Sequence, residues 1–259
     1  MQNEIKFNIE NKSNLKKVLY ALSNKFDEVI VEVDGNEISI RVIDKCHISC
    51  IYLTTEYPFV YDKLINTKYI VSLKELYDAV KDNYSKLDSI ELKQDTRYSF
   101  TYVNDILVSK ISYEFLEDLK CPPKPYIEYP VEFIPNNLEK LRIATKFLTS
   151  NKKLSDDMGR IIIDYYTSDR VEYSWDNEDL DFKIKDGAYR MNKYDDFVEP
   201  YRSLYDGFEL NNILKLPIKD AYLCIGTDMP ITIKGTFDSG LSCLVEFEYL
   251  LAPRIEEDR

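Results

Sequence analysis

The sequence predicts an α+β protein of two similar domains, each an antiparallel sheet with helices on one face. Three observations carry this. Apolar residues at period two mark strands, and apolar residues at i, i+3, i+4 and i+7 mark helices. Both kinds of run recur in one order (strand, helix, strands, helix, strands) in each half of the 259 residues. Between the halves, Pro122, Pro123 and Pro125 fall within five residues, where neither a helix nor a central strand can continue. The reading is an N-terminal domain at 1–114, a stiff, extended linker at 115–130 and a C-terminal domain at 131–259.

In the first half a short strand, Ile5–Ile9, leads to Ser13 as helix cap. Leu15, Val18, Leu19 and Leu22 then form an amphipathic ridge. Strands at Glu28–Val33 and Glu37–Val42 flank Asp34-Gly35-Asn36, a hairpin turn signal. His47–Thr54 is a further strand. Ser72 and Glu75 form a capping box ahead of Leu73, Leu76, Tyr77 and Val80. Strands follow at Ser89–Lys93, Tyr98–Val103 and Ile106–Tyr113.

In the second half Asn137-Leu138-Glu139-Lys140 is similar to Asn14-Leu15-Lys16-Lys17, and a helix runs on through Leu141, Ala144 and Leu148. Strands come at Arg160–Tyr166, Arg170–Trp175 and Leu180–Lys185. A short helix over Phe208, Leu210, Ile213 and Leu214 ends near Pro217. Strands at Ala221–Gly226, Ile231–Thr236 and Leu241–Leu250 close the chain.

Hydrophobic residues at 44% and charged residues at 31% provide for a packed core and exclude general disorder. No apolar run is long enough to span a bilayer. Met1 is followed by Gln, Asn, Glu and Lys, so no secretory signal is expected. Five scattered Cys suggest reduced thiols in a cytoplasmic or nuclear setting rather than a disulfide framework. Cys46, His47 and Cys50 lack the paired spacing of zinc sites, so no metal is expected there.

No Gly-rich phosphate loop and no nucleophile elbow is present, and a single His leaves little room for a Ser/His or Cys/His site. No cofactor is expected. Asp156-Asp157, Glu178-Asp179 and Asp195-Asp196 could hold Mg²⁺ for nuclease chemistry, which keeps an acidic metal-dependent nuclease as the alternative from another class. Solvated loop charge is their plainer reading.

The net charge of −12 argues against a nucleic-acid partner only if it is evenly spread. It is not. The helical stretches 14–25, 72–82, 137–153 and 209–219 carry +3, −1, +4 and +1, which leaves −19 for the rest. Lys16, Lys17, Lys25, Lys74, Lys81, Arg142, Lys146, Lys153, Lys215 and Lys219 are the candidate phosphate contacts. Such helices would hold double-stranded DNA by attraction to its backbone, without reading bases.

The end of the chain, Leu251-Ala252-Pro253-Arg254-Ile255-Glu256-Glu257, resembles the C-terminus of the sliding clamps of the proliferating cell nuclear antigen (PCNA) family. Ile43-Asp44-Lys45-Cys46-His47-Ile48 resembles that family's Met-Asp-x-Ser-His-Val motif, and Leu15-Lys16-Lys17-Val18-Leu19 fits its first helix. Residues 150–205 match weakly, and Ile43, Cys46 and Leu250 depart from the usual residues. The resemblance implies a non-enzymatic DNA sliding clamp, a polymerase processivity factor of ring-forming fold. It also implies three subunits joined by edge strands, for which Ile106–Tyr113 and Leu180–Lys185 are candidates. A subunit of a heterotrimer, or a non-trimeric clamp, is the alternative within the class.

The implied partners are DNA, a clamp loader, and a polymerase, flap nuclease and ligase that dock by short aromatic-containing peptides. The implied peptide pocket comprises Ile43, His47, Ile48, Leu119, Pro230, Leu250, Ala252 and Pro253.

Overall fold

The computed structural model describes residues 3–56, 66–116, 123–150, 159–166, 170–175, 183–191, 200–241 and 243–254. Two compact units divide the chain. The first takes Met1–Pro123, Lys215–Pro217 and Thr236–Phe247, and the second takes Lys124–Leu214, Ile218–Gly235 and Glu248–Arg259.

The first unit runs β1 (Asn3–Asn8), α1 (Lys12–Ser23), β2 (Glu28–Asp34), β3 (Glu37–Ile43), β4 (Ser49–Glu56), β5 (Thr67–Ser72), α2 (Leu73–Asp82), β6 (Ser89–Gln94), β7 (Tyr98–Val103) and β8 (Ile106–Ser112). Its strands pair antiparallel in the orders β1-β6-β7-β8 and β5-β2-β3-β4. β8 ends its sheet, the edge position expected of Ile106–Tyr113.

Leu15, Val18, Leu19 and Leu22 of α1 are all buried, as their spacing predicts. The cap is Asn11 rather than Ser13. The Asn11 side chain accepts from the Asn14 N–H at 3.1 Å, so the helix starts earlier than the sequence suggested. Gly240, at φ +82°, presents its carbonyl to the Glu10 and Asn11 N–H groups, and a side chain there would strike the Asn11 backbone. At α2, Ser72 caps as expected and accepts from the Glu75 N–H. The β2–β3 hairpin closes at Asp34 and Glu37, with Gly35 at φ +61° in the turn.

The second unit runs β9 (Val131–Pro135), α3 (Leu138–Ser150), β10 (Arg160–Tyr166), β11 (Arg170–Trp175), β12 (Lys183–Arg190), β13 (Tyr201–Asp206), α4 (Gly207–Ile213), β14 (Lys219–Ile225), β15 (Ile231–Asp238) and β16 (Leu244–Leu251). The ends of β15 and β16, within Thr236–Phe247, count with the first unit. The strand orders are β13-β10-β11-β12 and β9-β14-β15-β16, so each half repeats the same ten elements. The α+β class and the antiparallel sheets agree with the sequence-based expectation.

Two expectations are corrected here. The candidate edge strand Leu180–Lys185 lies partly outside the described residues. The strand that is described, β12, is flanked on both sides in its sheet: it pairs with β11, and its last three residues pair with β9, opposing Tyr189 to Ile134. The helix expected over 209–219 spans only Gly207–Ile213. Asp206 caps it by accepting from the Phe208 and Glu209 N–H groups, and Pro217 cannot extend it.

The core of the first unit centres on Ile51, Tyr69, Ile70 and Val80, and that of the second on Phe133, Ile161, Tyr165 and Tyr205. Among the described residues, no helix is long and apolar enough to cross a membrane.

Candidate nucleic-acid interface and docking segments

In the first unit the basic residues sit on helix ridges fastened together by aromatic rings. Lys16 and Tyr20 are one turn apart on α1, and Lys74, Tyr77 and Lys81 share a ridge of α2. The Tyr20 and Tyr77 rings meet at 5.6 Å between centroids, which sets the two ridges side by side. Lys16 lies over the Tyr84 ring at 5.3 Å, and Lys215 lies over Tyr20 at 5.4 Å. Lys17, Lys74, Lys81 and Lys215 are exposed, and Tyr20 is 42% exposed. Tyr20 went unread in the sequence because it lies off the buried apolar ridge, and Tyr77, expected on that ridge, is only half-buried. Their spacing from the lysines was the available signal.

Lys25 departs from this face. α1 stops at Ser23, and the Lys25 Nζ lies 2.7 Å from Asp44 Oδ2, with 6% of either side chain exposed. It is committed to an internal ion pair, and its expected phosphate contact is corrected on that ground.

In the second unit the charge of α3 is partly used in packing. Arg142 donates through Nε to the Leu214 carbonyl at the end of α4 (2.9 Å) and pairs with Glu139 at 3.2 Å. A guanidinium at a helix C-terminus both satisfies a carbonyl and complements the helix dipole. Lys140 reaches the Lys185 carbonyl and Asp186. Lys146 is exposed, and so are Ile143 and Phe147, an apolar i, i+4 pair that the sequence pattern did not single out. Lys215 lies beyond α4, Lys219 opens β14, and Lys153 falls outside the described residues.

Asp44 builds the loop between β3 and β4. Its Oδ1 accepts from the Ile48 N–H, and its Oδ2 accepts from Ser49 Oγ and Lys25. Burial pushes this carboxyl up, but the Lys25 and Ser49 hydrogen bonds, with the Lys25 charge and the Ile48 N–H, outweigh it and hold the pKa below the ordinary value. The loop so fixed carries His47 at φ 59° and leaves His47 and Ile48 exposed, with Ile43 half-buried at the end of β3. Lys25, Ile43, Asp44 and His47 also line a hollow of about 310 Å³.

In the second unit β13, which the sequence pattern did not reveal, gathers two of the segments expected to form the peptide pocket. Tyr205 donates to the Met229 carbonyl next to Pro230. The Arg254 N–H donates to the Leu204 carbonyl at 2.8 Å, and the Arg254 guanidinium pairs with Asp206, which holds Ala252 and Pro253 in place. Pro230, Ala252 and Pro253 are half-exposed, whereas Leu250 is buried in β16. At the described end of the linker, Lys124 pairs with Glu248 of β16. Leu119 falls outside the described residues.

Asp164 and Glu172 are buried cross-strand partners on β10 and β11. Arg202 lies 3.9 Å from Asp164, while Arg170 and Lys185 each lie 3.7 Å from Glu172. Burial raises the Asp164 pKa against the pull of Arg202. Among the described residues, no three His, Cys, Asp or Glu side chains gather as a metal site. The acidic pairs Asp156-Asp157, Glu178-Asp179 and Asp195-Asp196 lie outside those residues.

A scan of protein-family models returns no match. The chain is 26% identical over 249 residues to a DNA polymerase sliding clamp of Methanothermobacter thermautotrophicus, covering 92% of this chain and 93% of that one. In structure it is similar to PCNA from Entamoeba histolytica, with TM-score 0.72 at 13% identity over 96% of this chain and 98% of that one. It is also similar to A. fulgidus PCNA bound to the C-terminal region of FEN-1, with TM-score 0.68 at 18% identity over the whole of both chains. The PCNA2–PCNA3 complex of Sulfolobus tokodaii gives TM-score 0.69 at 14% identity over 96% and 99%.

The repeated ten-element unit and its two antiparallel sheets place the chain in the DNA clamp fold. Within that class the chain is similar to the PCNA-type sliding clamps.

Proposed function

We propose that the chain acts as a DNA sliding clamp, a processivity factor that encircles duplex DNA and docks replication and repair proteins. The observation that carries this reading is the aromatic-fastened basic ridge of the first unit, Lys16, Lys17, Lys74, Lys81 and Lys215, on a chain of net charge −12. Long-range attraction to phosphates without base contacts suits a protein that must slide. Lys146 and Lys219 supply further phosphate contacts from the second unit. The chain performs no catalysis of its own, and its partners bring the chemistry.

Partner peptides with an aromatic anchor dock on the exposed loop around His47 and Ile48, and on the Pro230 and Ala252-Pro253 segments that β13 holds. A flap nuclease is one such partner, in line with the FEN-1 segment bound to A. fulgidus PCNA. The chain assembles with itself as a trimer. A mixed assembly with sister chains is the second reading, favoured by the likeness to the PCNA2–PCNA3 complex.

The test loads the protein with a clamp loader and ATP onto circular and linear DNA of equal length. Clamping by topology predicts long residence on circles and rapid loss from linear ends. Equal residence on the two sinks the reading. Light scattering separates the assemblies, since a homotrimer has three times the 30.5 kDa chain mass.

A further inference from the structure

The first unit holds a hollow of about 140 Å³ between its helices and strands. Protein interiors are close-packed, and voids larger than a water molecule are few. Leu15, Val18, Leu19 and Leu22 of α1 form one wall, Leu73 and Leu76 of α2 another, and strand residues including Val29 and Val245 complete it. Three hydroxyls, those of Thr54, Thr55 and Ser239, lie on its boundary, and two of them donate to carbonyls. Thr55 Oγ1 donates to the Leu244 carbonyl at 2.8 Å, and Ser239 Oγ donates to the Cys243 carbonyl at 3.1 Å.

A buried water needs two to four polar partners, and walls so largely apolar offer few. A dry apolar cavity of roughly 150 Å³ is large enough to hold benzene or xenon. We propose that this cavity is a binding site for one small apolar molecule, a single-ring aromatic or a hydrocarbon of similar girth. The same α1 that lines the cavity carries Lys16, Lys17 and Tyr20 outward, so an occupant braces the basic ridge from behind.

Benzene at millimolar concentration is the probe, with the full chain. Thermal unfolding should rise by about 2–4 °C once benzene is well above its dissociation constant. Methyl resonances of Leu15, Leu19 and Leu76 should shift, while those of Ile161 and Leu223 in the second unit stay fixed. Val245→Leu and Val29→Leu each fill part of the space. Either should abolish the benzene effect while keeping the ligand-free melting temperature at or above that of the parent. No melting rise and no methyl shift in the parent overturns the proposal. An equal benzene response in a folded filled variant also overturns it, because binding then lies elsewhere.

Discussion

Each half of the chain pairs a buried aspartate with a lysine, and the two pairs differ in how far the lysine is buried. Lys25 and Asp44 lie 2.7 Å apart with 6% of each side chain exposed. Lys140 approaches Asp186 to 3.2 Å, with 38% of the lysine side chain exposed and 2% of the aspartate. The helices differ in the same way. In the first unit the lysines of α1 and α2 stand clear of the fold, propped by Tyr20 and Tyr77. In the second, Arg142 is drawn into bracing α4, and Ile143 and Phe147 share the outer surface of α3. A charge of +3 over residues 14–25 and of +4 over residues 137–153 is therefore not similar capacity to hold DNA. What decides that capacity is whether a cation is already committed to a carboxylate or a carbonyl.

The largest expected effect sharpens this contrast. Lys25→Met leaves Asp44 buried without its cation and should destabilise the first unit by about 3 kcal/mol. Lys140→Met, at a half-exposed pair, should cost the second unit only about 1 kcal/mol. Urea unfolding monitored in each unit measures both, and equal losses would erase the distinction.

Arg142→Ala comes next. It should weaken the second unit by about 1.5–2 kcal/mol through the lost hydrogen bond to Leu214. Lys17→Ala should leave stability within about 0.5 kcal/mol. A larger fall in DNA affinity than in stability for Arg142→Ala would instead make that arginine a phosphate contact.

Replacing Lys16, Lys17, Lys74 and Lys81 together with Ala should weaken DNA binding about tenfold, near 1.4 kcal/mol. It should also flatten the slope of log affinity against log salt, by up to about 0.9 for each phosphate that the variant no longer neutralises. Lys146→Ala alone should flatten that slope by no more than the share of a single phosphate. An unchanged slope in the four-lysine variant removes the first unit's ridge from the DNA interface.

The smallest effect is a pH dependence of opposite sign in the two units. The Asp44 pKa is lowered by folding, so its contribution is full above the unfolded value near 3.9 and is lost as the pH falls through the folded value. The Asp164 pKa is raised by folding, so its cost is present at neutral pH and is relieved as the pH falls through that raised value. Mild acidification should first favour the second unit, and stronger acidification should then weaken the first. Unfolding of Asp44→Asn and Asp164→Asn against pH checks this: each substitution should flatten the response of its own unit alone.

Much of the fold was legible because it rests on local periodicity. The buried ridge of α1, the capping box at Ser72 and the Gly35 turn follow from side-chain spacing and backbone preference. Of the strands that escaped, β5, β9 and β13, the first and last share a physical cause. Each ends on a residue that also caps the next helix, Ser72 before α2 and Asp206 before α4, so no turn separates period two from period 3.6. The missed β13 is the strand that holds the Pro230 and Ala252-Pro253 segments, which the sequence named without showing what positions them.

The sequence by itself determined the α+β class, the repeated order of elements, the gathering of basic residues into helices and the likeness to the clamp family. All of these depend on neighbours within a few turns of chain or on short stretches of matching residues. Only the tertiary structure decided which cations remain available. Lys25 meets a carboxylate nineteen residues on and Arg142 a carbonyl seventy-two residues on, and no local pattern encodes a partner at that distance. The same holds for the cavity behind α1, since an unfilled volume arises only when residues from several strands and both helices close around it.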